Sequence, residues 1–162
     1  MIQIQPLGKV DPGIIEWLAA ELRKIFGEVI ILPEAEIPEK CYNTYRKQYN
    51  STCILTSIET SFVTLAITAE DIYANGMNFV FGEAEIGGLR AVVSYHRLRF
   101  FANEDLLKKR LLKEAIHELG HVFGLLHCKT RGCVMNFSND VFEVDKKGSE
   151  FCQKCASRLR TS

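Results

Sequence analysis

The sequence predicts an α/β fold, one compact domain in which helices pack on a mixed sheet, followed by a polar, cysteine-rich tail. Residues 2–4 alternate isoleucine with glutamine, as a half-buried strand does. Between Asp11 and Gly27 the apolar residues recur at helical spacing. Gly87-Gly88 separates two further strand candidates and favours a tight hairpin, so at least one strand pair is expected to be antiparallel.

The first helix is bounded by capping chemistry. Asp11 can cap it, Pro12 suits the first helical position, and Gly27 can end it. The strand candidates are short apolar runs bounded by turn residues, in chain order 2–4, 29–32, 62–67, 78–86 and 90–98.

Two further regions are predicted to be helical. The segment 42–60 is mixed in character and predicts one or two short helices, with Ser51 as a cap. A long helix begins after Asn103, with acidic residues in its first turn, and runs toward Gly124. After Gly124 the chain is polar and rich in cysteine.

Composition limits the class of protein. The chain has 162 residues, 47% of them hydrophobic, and twenty basic residues balance twenty acidic ones. Zero net charge argues against a dedicated binder of nucleic acid or anionic membranes. Neither a membrane-spanning apolar run nor a secretory signal is visible, so we expect a cytoplasmic protein. In that reducing compartment six cysteines favour metal ligands or free thiols over disulfides.

A histidine motif on the long helix predicts a catalytic metal site. His117 and His121 are four residues apart, so they share a helix face and can reach one ion. Glu118 can sit beside a metal-bound water, and Gly124 lets the chain turn so that His127 returns as a third ligand. Three imidazoles and a water make an open, tetrahedral zinc site. The competing interpretation is a set of surface histidines on an amphipathic helix.

Four cysteines near the C-terminus predict a second metal site. Their spacing, C-x4-C followed by C-x2-C, suits a closed structural zinc site, with two disulfides as the alternative. Metal binding would supply folding energy to a tail with little apolar content. The four residues are Cys128, Cys133, Cys152 and Cys155. Cys41 and Cys53 have no partner spacing and are expected to be ordinary buried or free thiols.

The two predicted sites adjoin each other in the chain. Cys128 directly follows His127, and consecutive Cα atoms lie about 3.8 Å apart. The structural site should therefore fix the loop that presents the third catalytic ligand.

Other polar residues have plainer interpretations. His96, the fourth histidine, lies near the end of a strand candidate and is expected to be a strand-end or surface residue. Alternation places Phe79, Phe81, Glu83 and Glu85 on one face of the candidate edge strand. Either glutamate could capture the α-amino group of a peptide, although charges that discourage pairing at a sheet edge are the favoured interpretation.

The motif region resembles the archaemetzincins. A metzincin zinc helix, H-E-x-x-H-x-x-G-x-x-H, is combined with a four-cysteine site, and this combination is very specific. The matching stretches are HELGHVFGLLHC from residue 117, Cys133-Val134-Met135 and Cys152-Gln153-Lys154-Cys155. Segments 78–84 and 94–98 also resemble the family, and Arg46, Gln48 and Tyr49 do so more loosely.

The resemblance implies a metzincin-like domain with a twisted, mainly parallel sheet, an antiparallel edge strand, an active-site helix and a methionine-containing turn. Met135 would be the apolar base under the histidines. The resemblance also implies two Zn²⁺ ions per chain. It divides the domain into a zinc peptidase core, 1–127, and a Met-turn and four-cysteine segment, 128–162. Many metzincins have a tyrosine shortly after the turn, whereas Asn136-Phe137 stand here, so the group that stabilises the transition state is unassigned.

The leading functional interpretation is a zinc metallopeptidase that hydrolyses peptides or small proteins through a zinc-activated water, with Glu118 as general base and aminopeptidase action as an option. A zinc-stabilised scaffold with little activity is the alternative, although a pure binding module has no need of Glu118. A nucleic-acid-binding zinc ribbon would rest on the cysteines and a few basic residues, namely Lys146, Lys147, Arg158 and Arg160. We expect neither nucleic acid nor a membrane as partner.

Overall fold

The fold is built on a five-stranded sheet in the order β2-β1-β5-β8-β7, beside a small sheet in the order β3-β4-β6. The structure is a computed structural model and describes residues 1–159. Arg160, and with it the end of the predicted 128–162 segment, lies outside the described residues. The strands are β1 (Ile2–Leu7), β2 (Val29–Ile31), β3 (Tyr42–Asn43), β4 (Gln48–Asn50), β5 (Val63–Thr68), β6 (Ile72–Tyr73), β7 (Gly82–Ala84) and β8 (Arg90–Ser94).

The large sheet is mixed, as predicted. Strands β2, β1, β5 and β8 run parallel, and β7 pairs antiparallel with β8, Glu83 opposite Val92. Because β7 has a neighbour on one side only, its other edge is free to pair. This edge borders the site described below.

The helices begin where the capping side chains predict, with one exception. Asp11 accepts a hydrogen bond from the Gly13 amide, and Asn103 accepts one from the Leu106 amide. The predicted cap Ser51 is wrong, because Asn50 caps that helix and Ser51 is its first residue. The helices are α1 (Pro12–Phe26), α2 (Ser51–Ser57), α3 (Glu104–Val122), α4 (Val141–Lys146) and α5 (Gln153–Arg158), with 3₁₀ turns at Glu39–Cys41 and Arg97–Arg99.

Helices cover both faces of the sheet. On one face α1 and α3 pack on alternate strand residues such as Ile4, Ile67 and Val93 in the main core. On the other face α2 packs with Ala66 and Val92 in a smaller core. A parallel sheet needs apolar cover on both faces, which explains why β5 is apolar from Leu65 to Ile67 and β8 from Ala91 to Val93.

Two strands are shorter than predicted. In the 78–86 segment only Gly82–Ala84 is strand. The backbone before it is held irregularly, because Arg46 and Gln48 donate to the carbonyl of Asn78. In the 90–98 segment the strand ends at Ser94, and a 3₁₀ turn follows.

The expectation of free thiols at Cys41 and Cys53 is wrong, since the two residues form a disulfide with a Cα–Cα distance of 5.4 Å. The 3₁₀ turn at Glu39–Cys41 and helix α2 bring the two residues together, although they are twelve apart in sequence. That proximity depends on how two elements pack, so no spacing motif signals it.

The tail packs on the main core and does not form a separate body. Residues of α4 and on either side of it join the same apolar cluster as α1 and α3, among them Cys133, Val134, Met135, Val144 and Cys155. Within residues 1–159 no helix has the length and apolar character needed to cross a membrane.

Candidate metal centre and active site

The buried half of α3 carries the histidine motif. From Glu114 to Val122 every residue is buried, so the helix presents His117, Glu118 and His121 from inside the domain. The chain leaves the helix at Gly124 with a φ of 99°, a conformation that a residue with a side chain rarely adopts. This turn brings His127 back toward the helix, as the spacing predicts.

The three imidazoles converge on one point. Their ring centroids lie 4.8, 5.3 and 4.9 Å apart. One nitrogen from each ring lies within 4.8 Å of the others, so His117, His121 and His127 could hold a metal ion. The interpretation as surface histidines is wrong for the two on the helix, because His117 is only 5% and His121 only 8% exposed, whereas His127 is exposed.

Backbone carbonyls fix the orientation of two of the rings. The Nδ1 atom of His117 lies 2.8 Å from the carbonyl oxygen of Val134, and that of His121 lies 2.7 Å from the carbonyl of Leu125. A carbonyl oxygen only accepts, so each Nδ1 carries the proton. Each Nε2 is therefore left with a lone pair, which is the state that a metal ligand requires.

Burial keeps these histidines neutral. Burial lowers the pKa of His117 to about 2, and it also lowers the pKa values of His121 and His127. Neutral imidazoles are the form that binds zinc, so the donor set fits such an ion.

Glu118 lies against the edge strand. A Cβ atom on Gly82 of β7 would come within 2.8 Å of Oε2 of Glu118 and 2.6 Å of the Val92 carbonyl oxygen. Only glycine therefore allows this carboxylate and β7 to approach so closely. The sequence carries no signal for this role of Gly82, because a lone glycine in a strand has many explanations.

The environment of Glu118 raises its pKa well above the ordinary value. Burial is the main cause, and the nearby carboxylate of Glu114 adds to it. A bound cation at the histidines would act in the opposite direction, because opposite charge favours the carboxylate. Burial and Glu114 therefore increase the affinity of the Glu118 carboxylate for a proton, and a bound cation would decrease it.

The four tail cysteines form the second cluster. Their sulfur atoms lie within 4.8 Å of one another, and the Cys128–Cys152 and Cys133–Cys155 separations are both 3.8 Å. A tetrahedron with Zn–S bonds of about 2.3 Å has edges of about 3.8 Å, so the cluster fits zinc. Pairing as two disulfides is excluded in this geometry, because all four thiols are free.

The turn 133–136 connects the two clusters. Its Val134 carbonyl holds His117, while its Met135 amide donates to Sγ of Cys133. The Cys128 amide donates to the Met135 carbonyl, and the Asn136 side chain donates to the Cys128 carbonyl. The link that the adjacent His127 and Cys128 predict is therefore reinforced by several backbone contacts.

Met135 packs directly on the motif helix. It is fully buried, and a Cβ atom on Gly120 would come within 2.5 Å of its sulfur. Gly120 is one of the two variable positions inside H-E-x-x-H, so the motif alone does not indicate that it must be small.

A cleft of about 900 Å³ opens at the histidines and Glu118. Strand β7 forms one wall, and residues 137–139 form part of the other. Several exposed apolar side chains line it, namely Met77, Ile86, Leu126 and Phe137. The ring centroids of Phe137 and His127 lie 5.2 Å apart. Phe137 follows the turn 133–136, where the resemblance to metzincins would predict a tyrosine.

The other candidate residues are not members of the metal cluster, although Phe79, Phe81 and Glu83 line the cleft beside it. His96 follows β8 and lies 3.0 Å from an Arg99 nitrogen, at the end of a strand as predicted. The predicted common face of 79–85 is wrong: Phe79 and Phe81 pack on the main core, whereas Glu83 accepts hydrogen bonds from Ser51 and Thr52 of α2. The alternation breaks because the chain before Gly82 is not a strand.

Comparison with known proteins agrees with this geometry. Residues 19–161 match the model of Peptidase family M54. The archaemetzincin of Archaeoglobus fulgidus is 54% identical over 160 residues and covers 98% of both chains. That of Methanocaldococcus jannaschii is 48% identical, covering 98% of this chain and 92% of the relative.

Solved structures give the same result. The crystal structure of the Archaeoglobus fulgidus archaemetzincin matches with a TM-score of 0.92 over 98% of this chain and 99% of that chain. A zinc-dependent peptidase from Methanocorpusculum labreanum matches with a TM-score of 0.86 at 27% identity, covering 98% of this chain and all of that one. These likenesses extend over almost the whole chain. The chain therefore belongs to peptidase family M54, together with the archaemetzincins, and is a zinc metallopeptidase.

Proposed function

We propose that His117, His121 and His127 hold the catalytic zinc and that Glu118 is the general base of peptide hydrolysis. The observation that carries this assignment is the convergence of three neutral imidazoles beside one buried carboxylate at a free sheet edge. A scaffold without activity would need the imidazoles but not the carboxylate. Met135 and Gly124 have supporting roles, the first as packing under the helix and the second as the turn that returns His127.

A bound Zn²⁺ would supply Lewis acidity and lower the pKa of the water molecule beside it. Glu118 then accepts a proton from the attacking water and passes it to the leaving amine. The surroundings that raise the pKa of Glu118 make its carboxylate a stronger proton acceptor, which suits the first of these two steps. The Val134 and Leu125 carbonyls keep His117 and His121 in the ligand tautomer throughout.

The free edge of β7 offers a binding mode for an extended peptide. Phe81 and Glu85 bond to β8 through their backbones, so by alternation the backbone groups of Gly82 and Ala84 point outward. A substrate strand can pair with them and lie across the metal cluster. The exposed apolar side chains of the cleft would accept apolar residues next to the scissile bond.

Cleavage within a peptide fits the surroundings better than removal of its first residue. Glu83 already accepts hydrogen bonds from the hydroxyl groups of Ser51 and Thr52, and Glu85 pairs with Arg90. Capture of an α-amino group by either carboxylate would have to displace these partners. Aminopeptidase action remains the second candidate, and peptides with blocked N-termini distinguish the two.

We also propose that the four cysteines hold a second, structural zinc, which makes two ions per chain. Four thiolates leave no open position, so this ion would act on folding and not on substrate. In this proposal residues 1–127 supply the catalytic machinery and 128–162 fix its third ligand. The proposal also places the enzyme in the cytoplasm, where the Cys41–Cys53 disulfide would be an uncommon bond, and fractionation of the source cells would test this.

The test combines Glu118→Ala with His121→Ala. Elemental analysis should find two zinc ions in wild type and in Glu118→Ala, and one in His121→Ala, because Glu118 is not a ligand. Digestion of a peptide library should show cleavage by wild type next to apolar residues. The Glu118→Ala rate should fall by about 10² to 10⁴, the usual worth of general-base assistance.

Two outcomes would contradict the proposal. Equal activity in wild type and Glu118→Ala would remove Glu118 from the mechanism. No cleavage by zinc-replete wild type across a broad library would favour the scaffold. Cleavage confined to peptides with a free N-terminus would move the assignment to aminopeptidase.

A further inference from the structure

A buried ion pair lies beneath the metal cluster and has no part in the mechanism above. Lys147, at the end of α4, pairs with Glu114 of α3 at 2.8 Å, and their side chains are 1% and 5% exposed. Among the described residues, Oε2 of Glu114 has no other polar partner. The ammonium group also donates to the carbonyl oxygen of Asn136 at 2.9 Å.

These contacts connect the two halves of the site. Glu114 is three residues before His117 and four before Glu118, so it lies on their side of α3, and it lines the cleft. Asn136 ends the turn whose Val134 carbonyl orients the His117 ring. One ammonium group therefore ties the motif helix to the turn that holds its first histidine.

Stability alone is a poor reason for such a pair. Desolvation of two charges costs about as much as their attraction returns, and well-packed apolar replacements are often as stable. The fixed length of the Lys147 side chain and its hydrogen bond to the Asn136 carbonyl are what an apolar pair would lack.

We propose that Lys147 and Glu114 are positioning residues that hold the turn 133–136 against α3, so that the Val134 carbonyl keeps His117 aimed at the metal. This inference rests on the proposed assignment of zinc to the three histidines. Neither residue touches the reacting atoms in this role. Lys147 acts through Asn136 and Val134, and Glu114 acts by anchoring Lys147.

The chain contains a matched control. Arg110, one turn earlier on α3, is also 1% exposed and pairs with Asp145 of α4 through two contacts of 2.8 Å. This pair joins the same two helices. In the part of the chain that the structure describes, however, neither partner bonds to the turn 133–136 or lines the cleft. Loss of either pair should affect stability, whereas only loss of the Lys147 pair should affect the metal.

The experiment replaces each pair by apolar residues, Glu114→Leu with Lys147→Met, and Arg110→Met with Asp145→Leu. Zinc affinity is measured by competition with a chelator at a temperature where thermal melts show every variant folded. Loss of the Lys147 pair should weaken zinc binding at the histidine site by about 10-fold or more. This is the usual effect of losing a group that orients a metal ligand. Loss of the pair should also lower kcat more than it raises KM. The control pair should change neither quantity.

Cobalt substitution supplies a readout that does not depend on activity. The visible bands of Co²⁺ at the histidine site should shift in the Lys147 variant, while the thiolate bands of the cysteine site stay as the internal reference. Lys147→Arg, which retains the charge and the donors, should recover more zinc affinity than Lys147→Met alone. If the double variant does not fold, this pair of single variants carries the test.

The outcomes distinguish a failure of the proposed function from a failure of the positioning role. Wild type that binds no metal at the histidines would overturn the proposed function before any variant is made. Wild-type zinc affinity, cobalt spectrum and kcat in the folded Lys147 double variant would leave the proposed function intact and overturn the positioning role. Equal effects in the control pair would reduce both pairs to general stabilisation.

Discussion

At the scale of single residues, the packing of Met135 on the motif helix depends on a missing side chain. Gly120→Ala would place a Cβ atom 2.5 Å from the Met135 sulfur and 3.1 Å from the Phe151 ring. We expect it to destabilise the fold by about 1–3 kcal/mol, the usual cost of overpacking, although alanine is the better helix former. Urea unfolding of the zinc-loaded protein measures this.

Gly13→Ala, in the first turn of α1, is the control for that prediction. Its added Cβ would meet only the Asp11 carboxylate at 3.3 Å, so the same substitution should be nearly neutral there. A neutral Gly120→Ala would mean that Met135 has room to move aside, and that the turn does not press on the helix.

At the scale of elements, the turn 133–136 and helix α5 couple the two metal sites. The Cys133 sulfur accepts from the Met135 and Cys152 amides, and it lies 3.8 Å from the sulfur of Cys155 in α5. We therefore expect Cys155→Ser to loosen the tail to proteolysis and to weaken zinc binding at the histidines by about tenfold. Limited proteolysis and chelator competition measure the two effects.

Removal of the disulfide by Cys41→Ser with Cys53→Ser is the matched control for this coupling. It also takes away a cross-link, at a typical cost of about 3 kcal/mol, but it lies on the α2 side of the sheet. Zinc affinity should not change in this variant. Unchanged affinity in Cys155→Ser as well would mean that the turn holds its shape without the second metal.

At the scale of the whole molecule, buried histidines make the metal-free fold sensitive to acid. Burial lowers the pKa of His117 from 6.5 to about 2, so between these values the unfolded chain binds the proton that the folded chain refuses. Stability from this residue is complete above pH 6.5 and is lost as the pH falls toward 2. The free energy of unfolding then falls by at most about 1.4 kcal/mol per pH unit for each proton.

The buried carboxyls of Glu114 and Glu118 act in the opposite sense, because their pKa values are raised and the folded chain takes up their protons first. The contribution of His117 is therefore isolated by comparison with His117→Gln. Urea titrations of the two metal-free proteins between pH 7.5 and about 4.5 should show a smaller loss of stability on acidification for the variant. Parallel curves would mean that His117 is not buried as a neutral ring.

The sequence by itself determined which residues form the two candidate metal groups, since a four-residue spacing on a helix, a glycine turn and two cysteine pairs restrict which atoms can meet. It also determined the caps of α1 and α3 and the antiparallel edge, because these depend on neighbours in the chain. Only the tertiary structure decided the Cys41–Cys53 disulfide, the close approach of Gly82 to Glu118, the partners of Glu83, and the Lys147–Glu114 pair. Each of these joins residues from different elements, whose meeting depends on how helices pack on the sheet and leaves no periodic signal in the sequence.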